Sequence, residues 1–117
     1  MGLDTKHKNN NDMNSEIQDL QDEIVMMIRT CYDPEIPVNI FDLGLIYDVD
    51  IDDDYNVTIE MTLTSPNCPA VDFILSDVQM KVEAIEKIKK VNIELVFDPP
   101  WDRSMMSEEA MLELGLL

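Results

Sequence analysis

Cys68 is the residue of this chain best placed to do chemistry. It lies in Thr62-Leu63-Thr64-Ser65-Pro66-Asn67-Cys68-Pro69-Ala70, which joins a run of alternating apolar residues to an amphipathic helical pattern. The stretch reads as a strand-to-helix turn with a cysteine at its tip. Pro66 stiffens the turn, and Pro69 suits the first turn of a helix, where a missing N–H has no intrahelical partner to lose. A cysteine beside unpaired backbone N–H groups and the positive end of a helix dipole is pushed toward thiolate. Nearby carboxylates push the other way. A thiolate attacks an electrophile or ligates a soft metal. The other polar groups able to reach the same end of a sheet are the Thr62, Thr64 and Ser65 hydroxyls and the acids Asp33, Glu35 and Asp42. Plainer readings stand beside these. Asp33 can terminate a helix, Asp42 can brace the turn before Gly44, and a free cysteine is among the most buried residue types.

Several chemistries drop out on composition. The only histidine is His7, near the N-terminus and far in sequence from Cys68, so Cys-His and Ser-His-Asp arrangements are excluded, as are His-based zinc sites. Cys31 and Cys68 are the only cysteines, too few for a disulfide scaffold or a Cys₄ site. Gly2, Gly44 and Gly115 are too scattered for a phosphate-binding loop. Asp50, Asp52 and Asp54 have the first spacings of a calcium loop, but Tyr55 and Met61 stand where glycine and glutamate belong. That segment reads as a solvated turn. A net charge of −17 argues against nucleic acid and anionic lipid. No apolar run approaches the roughly 20 residues that span a bilayer, and the polar start carries no secretory signal. A cytoplasmic protein is expected.

The elements that must position Cys68 follow from periodicity. With 117 residues the chain has one core. Residues 1–14 are polar and aperiodic and read as a disordered tail, leaving 15–117 as the domain. A first helix is expected from Ser15, with Ser15 and Gln18 as a capping box and Ile17, Leu20, Ile24, Met27, Ile28 and Cys31 as its apolar stripe. Cys31 is read as a small buried hydrophobe. After the prolines at 34 and 37, Leu45, Tyr47, Val49 and Ile51 are expected to share one strand face. Val57, Ile59, Met61 and Leu63 line a second strand, paired antiparallel across a polar hairpin. A second helix is expected from Pro69 to Ile88, then a strand through Val91, Ile93, Leu95 and Phe97. A last helix runs from Glu108 to Leu114, with Ser107 as cap and Gly115 as stop. The order α-β-β-α-β-α predicts a two-layer α/β sandwich of the α+β type with a three-stranded mixed sheet, β2 and β3 parallel.

These residues also resemble a known family. Asp33-Pro34-Glu35-Ile36-Pro37-Val38-Asn39-Ile40 with Asp42-Leu43-Gly44-Leu45-Ile46-Tyr47, the Thr62–Pro69 turn, and Asp98-Pro99-Pro100-Trp101 with Met106-Ser107-Glu108-Glu109-Ala110 look like the signatures of the SufT-like, PaaD-like iron–sulfur maturation family. The resemblance covers residues 15–117. It implies a non-enzymatic auxiliary factor that assists assembly of iron–sulfur clusters or their transfer to apo-proteins. Cys68 would ligate a labile iron–sulfur cluster or iron, with Thr62, Thr64, Asp33, Glu35 and Asp42 around the pocket. Its partners would be apo client proteins and other assembly factors. The phenylacetate branch of the family has a cysteine-rich C-terminal extension, and its absence after Leu117 favours the general maturation branch. A metal-free adaptor of the same machinery is the competing reading. A cluster takes about four protein ligands, and one chain offers at most two thiols. A homodimer or a hand-over complex with the client is therefore expected to complete the set.

Overall fold

A computed structural model describes residues 2–65 and 69–116, with side chains from Ser15 onward. Pro66, Asn67 and Cys68 lie outside the described residues, and so do the two terminal residues. Three helices and a three-stranded mixed sheet make an α+β fold, with α1 (Gly2–Ile28), β1 (Ile46–Ile51), β2 (Asn56–Met61), α2 (Val71–Glu83), β3 (Lys90–Leu95) and α3 (Glu108–Glu113). β1 and β2 are antiparallel, β2 and β3 are parallel, and β2 is central.

The core forms where the apolar periodicities meet. Leu20, Ile24, Ile28 and Cys31 from α1, and Ile74, Val78 and Val82 from α2, are buried with Val57, Ile59 and Met61 of β2. Each such aliphatic side chain contributes about 1.5–3 kcal/mol on burial. Both sheet edges have a carbonyl capped by a glutamine: Gln21 Nε2 donates to Val49 O (3.2 Å) and Gln79 Nε2 to Val91 O (2.9 Å). Lys81 Nζ ties α2 to the end of α1 by donating to Thr30 O (2.8 Å), while ion-pairing with Asp77 (3.2 Å).

The structure corrects four expectations. α1 begins at Gly2, so Ser15 lies inside the helix and is not its cap. α2 is shorter than expected because it starts after Pro69 and Ala70 and ends before Ile85, which is buried in the turn that follows. β1 does not keep a single period-two face. Its register shifts between Ile46 and Asp48, so Ile46 pairs with Met61 and Tyr47 is the extra residue of a bulge. Phe97 lies beyond β3 and is 41% exposed, because the Asp98-Pro99-Pro100 stretch leads the chain off the sheet. A short 3₁₀ turn, Arg103–Met105, held by the Asp102 carboxylate, carried no periodic signal.

Other local readings hold. Ser107 caps α3 by accepting from the Ala110 N–H (3.1 Å). Gly115, at φ +74°, ends it, with Leu116 N donating to Met111 O and Gly115 N to Leu112 O. The acidic hairpin is a turn. Asp52 accepts from the Asp54 and Asn56 N–H groups (both 2.9 Å) and from Asn56 Nδ2 (3.1 Å). The Asn56 donors hold the Asp52 carboxyl below its ordinary range. These bonds fasten a loop in which Tyr55 takes the left-handed conformation (φ +64°) usually given to glycine.

Candidate functional site

The loop 39–45 ties three separated parts of the chain to one end of the sheet. Ile40 N donates to Cys31 O (2.9 Å), Leu45 N to Ile40 O (3.1 Å) and Thr62 N to Leu45 O (2.8 Å). From the C-terminal segment, Trp101 Nε1 donates to Leu43 O (2.7 Å) and Ser107 N to Asp42 O (2.8 Å). Val96 N donates to Met61 O (2.8 Å), so β3 leaves the sheet beside the same corner. Tyr47 Oη, freed by the bulge, donates to Pro99 O (2.7 Å) and helps strap residues 99–105 over the corner. Pro99 and Trp101, Asp42 to Tyr47, and Thr62 are thus joined by hydrogen bonds onto backbone carbonyls although they are far apart in sequence.

The acids of this corner hold its loops. Asp33 is buried, and its Oδ1 accepts from the Glu35 N–H (2.9 Å), fixing the turn that follows α1. Asp42 and Asn39 bond reciprocally: Asn39 Nδ2 donates to Asp42 Oδ2 (2.8 Å), and Asp42 N donates to Asn39 Oδ1 (2.9 Å). Arg29 approaches Asp42 Oδ1 (3.9 Å) and stacks over Phe41, 5.0 Å from the ring centre. Glu35 is exposed and Thr64 half-buried. Asp42 also lines a pocket of about 260 Å³ with Tyr32, Asn39, Glu109 and Glu113, between the loop and α3.

Thr62 differs from all of these. It is fully buried, and its Oγ1 has no hydrogen-bond partner among the described residues. An unpaired buried hydroxyl costs about 1–3 kcal/mol, and native folds keep few of them. Six residues on comes Cys68, outside the described residues, and then Pro69 and Ala70. Ala70 caps α2 without a side-chain hydrogen bond to the first-turn N–H groups, so the helix end that follows the cysteine keeps its positive field.

Cys31 is the opposite kind of thiol. It is 1% exposed, and its Sγ donates to Met27 O (3.7 Å). Burial pushes its pKa up to about 12, reinforced by the negative charge of Asp77 and only partly offset by Lys81. The native state therefore keeps a proton that the unfolded chain releases near pH 8.5, and stability falls as pH rises from there toward 12. Urea unfolding at pH 7 and pH 10 is expected to show wild type losing about 1–2 kcal/mol more than Cys31→Ala over that interval. Equal losses would mean that the thiol ionises freely in the fold.

Sequence reasoning missed Asn39, Arg29 and Tyr47. The spacing Asn39-x-x-Asp42 is that of a reciprocal capping pair and was the one available signal. The roles of Arg29 and Tyr47 depend on contacts that no local pattern encodes.

Comparisons place the chain among known proteins. Residues 21–95 match the model of the family described as iron–sulfur cluster assembly protein. An Fe-S protein maturation auxiliary factor of Porphyromonas gingivalis is 61% identical over 105 residues, covering 90% of this chain and all of that protein. The Fe-S protein maturation auxiliary factor SufT of Staphylococcus aureus is 39% identical over 84 residues, 72% of this chain and 96% of that one. The crystal structure of a domain of unknown function, DUF59, from Bacillus anthracis superposes with a TM-score of 0.80 at 33% identity, over 86% of this chain and 95% of that one. On sequence and fold alike, the chain belongs to the iron–sulfur cluster assembly protein family.

Proposed function

We propose that this protein is an auxiliary factor of iron–sulfur cluster assembly that takes up a labile cluster or iron through the Cys68 thiolate and passes it to apo-proteins. The relatives named as maturation factors support the process. The observation in the molecule that carries the site is Thr62 Oγ1, a buried donor without an acceptor among the described residues, six residues before Cys68. A cluster sulfide or the Cys68 thiolate would supply that acceptor, and the uncapped start of α2 would favour the thiolate.

The donor set fits a carrier better than a store. Among the described residues no group of three or more His, Cys, Asp or Glu side chains could hold a metal ion. Cys31 is enclosed and holds its proton. Cys68 would then be one ligand, and a second subunit, a small thiol or the client would complete the set. Incomplete ligation leaves positions that client thiolates can take, after which Cys68 regains its proton. Asp33, Asp42 and Asn39 shape the loops of the corner.

Anaerobic reconstitution with iron and sulfide tests the reading. Wild type and Cys31→Ala are expected to bind iron with sulfide-to-iron charge-transfer absorbance and to load an apo-acceptor. Cys68→Ala is expected to lose at least ten-fold in both. A folded wild type that takes up no iron would overturn the carrier reading and leave a metal-free adaptor.

A further inference from the structure

The face of the sheet turned away from α1 and α2 carries an unusual row. The register sets Asp48 of β1 opposite Glu60 of β2, and Glu60 beside Glu94 of β3. Three carboxylates thus lie side by side on adjacent strands, with strand spacings of about 4.8 Å. Like charges directly opposite one another on a sheet repel. None of the three has an ion pair or hydrogen bond among the described residues, although Lys81, Lys87 and Arg29 all pair with acids elsewhere. The row borders an open groove of about 530 Å³ lined by Gly44, Ile46, Tyr47, Glu60, Pro99 and Met105. The groove exists because the β1 bulge and the 99–105 strap cover only the Thr62 end of this face.

We propose that this groove is a docking site for an arginine- or lysine-bearing segment of a partner protein. The aliphatic stem of the basic side chain lies against Ile46, Pro99 and Met105, and its charged head meets Glu60 between Asp48 and Glu94. Such side chains bury their stems on apolar surface and keep their heads at acidic or wet positions. A partner cation removes the repulsion that the isolated chain carries, so association and charge pattern favour the same complex. The test reads peptide binding and not iron uptake, so its outcome is independent of the cluster reading.

The test is an NMR titration of the ¹⁵N-labelled protein with the peptide acetyl-Ala-Arg-Leu-Arg-Ala-amide. The same peptide with citrulline in place of both arginines is the uncharged control. Amide shifts are expected to centre on residues 46–48, 60, 94 and 105, and the citrulline peptide is expected to bind at least ten-fold more weakly. Glu60→Gln is expected to weaken arginine-peptide binding at least five-fold. Glu86→Gln, which removes an equal charge from an exposed site elsewhere, is expected to change it less than two-fold. No binding at millimolar peptide, shifts spread over the acidic surface, or equal loss in both variants would overturn the proposal.

Discussion

Replacing Gly44 with alanine is expected to cost the fold about 3–5 kcal/mol and to lower the melting temperature by roughly 10–20 °C. Two effects add. The residue sits at φ +83°, where a side chain is strained, and a Cβ there would collide with the Met105 carbonyl and Cβ. The colliding carbonyl is backbone in the strap, so relief requires residues 99–105 to lift from the sheet corner. Trp101 is the only tryptophan and donates to Leu43 O, so its emission reports that lift directly as a red shift. Gly115→Ala separates the two effects. It has a similar positive φ (+74°) but, among the described residues, no atom within 4 Å of the new Cβ, and should cost only about 1 kcal/mol with no change in emission. If Gly44→Ala were as mild as Gly115→Ala, the strap would not be seated as described.

The Gly44 contact also shows why some of this architecture could be read from sequence and some could not. Val57, Ile59, Met61 and Leu63 announce a one-sided strand by period alone, and all four are buried. The helix joining β2 to β3 fixes a parallel pair by chain geometry. Ser107 and Gly115 mark the ends of α3 through chemistry that acts within a few residues. The bulge at Tyr47 leaves no local mark, because the partner its phenol reaches, the Pro99 carbonyl, is 52 residues away in sequence. The end of α2 was misplaced because Ile85 and Ile88 continue the helical stripe while being buried from a turn.

The candidate site divides along the same line. Asp33 and Asp42 were chosen as acids near a cysteine turn, and the sequence left open whether they brace loops. Their carboxylates accept from Glu35 N and Asn39 Nδ2, which is a bracing role. Thr62 was chosen for sharing a strand face with Thr64. No sequence pattern singles it out further, because its distinction is a hydroxyl unpaired among the described residues, a property of the packed interior. Residues 39–47, 62 and 99–107 converge although they are far apart in sequence. They are the parts of one corner.

Thr62→Val is expected to stabilise the protein and to impair it. Valine matches threonine in shape and suits a strand end, and Thr62 holds its backbone bond to Leu45 O whatever its side chain. The hydroxyl has no partner to lose among the described residues, so its removal lifts a desolvation penalty. Urea unfolding of the cluster-free protein should show a gain of about 1–2 kcal/mol. Iron uptake and transfer to an apo-acceptor should fall at least five-fold, since the donor proposed to meet the bound species is gone. Thr62→Ser should show the reverse. It keeps the donor and loses a buried methyl, costing about 1 kcal/mol, and transfer should remain within two-fold of wild type. A stabilised valine variant with full transfer would make the orphan hydroxyl a packing residue. A destabilised one would mean that Oγ1 has a partner in the folded chain. Only opposite movement of stability and transfer fits a fold that keeps an unpaired group because its cargo completes it.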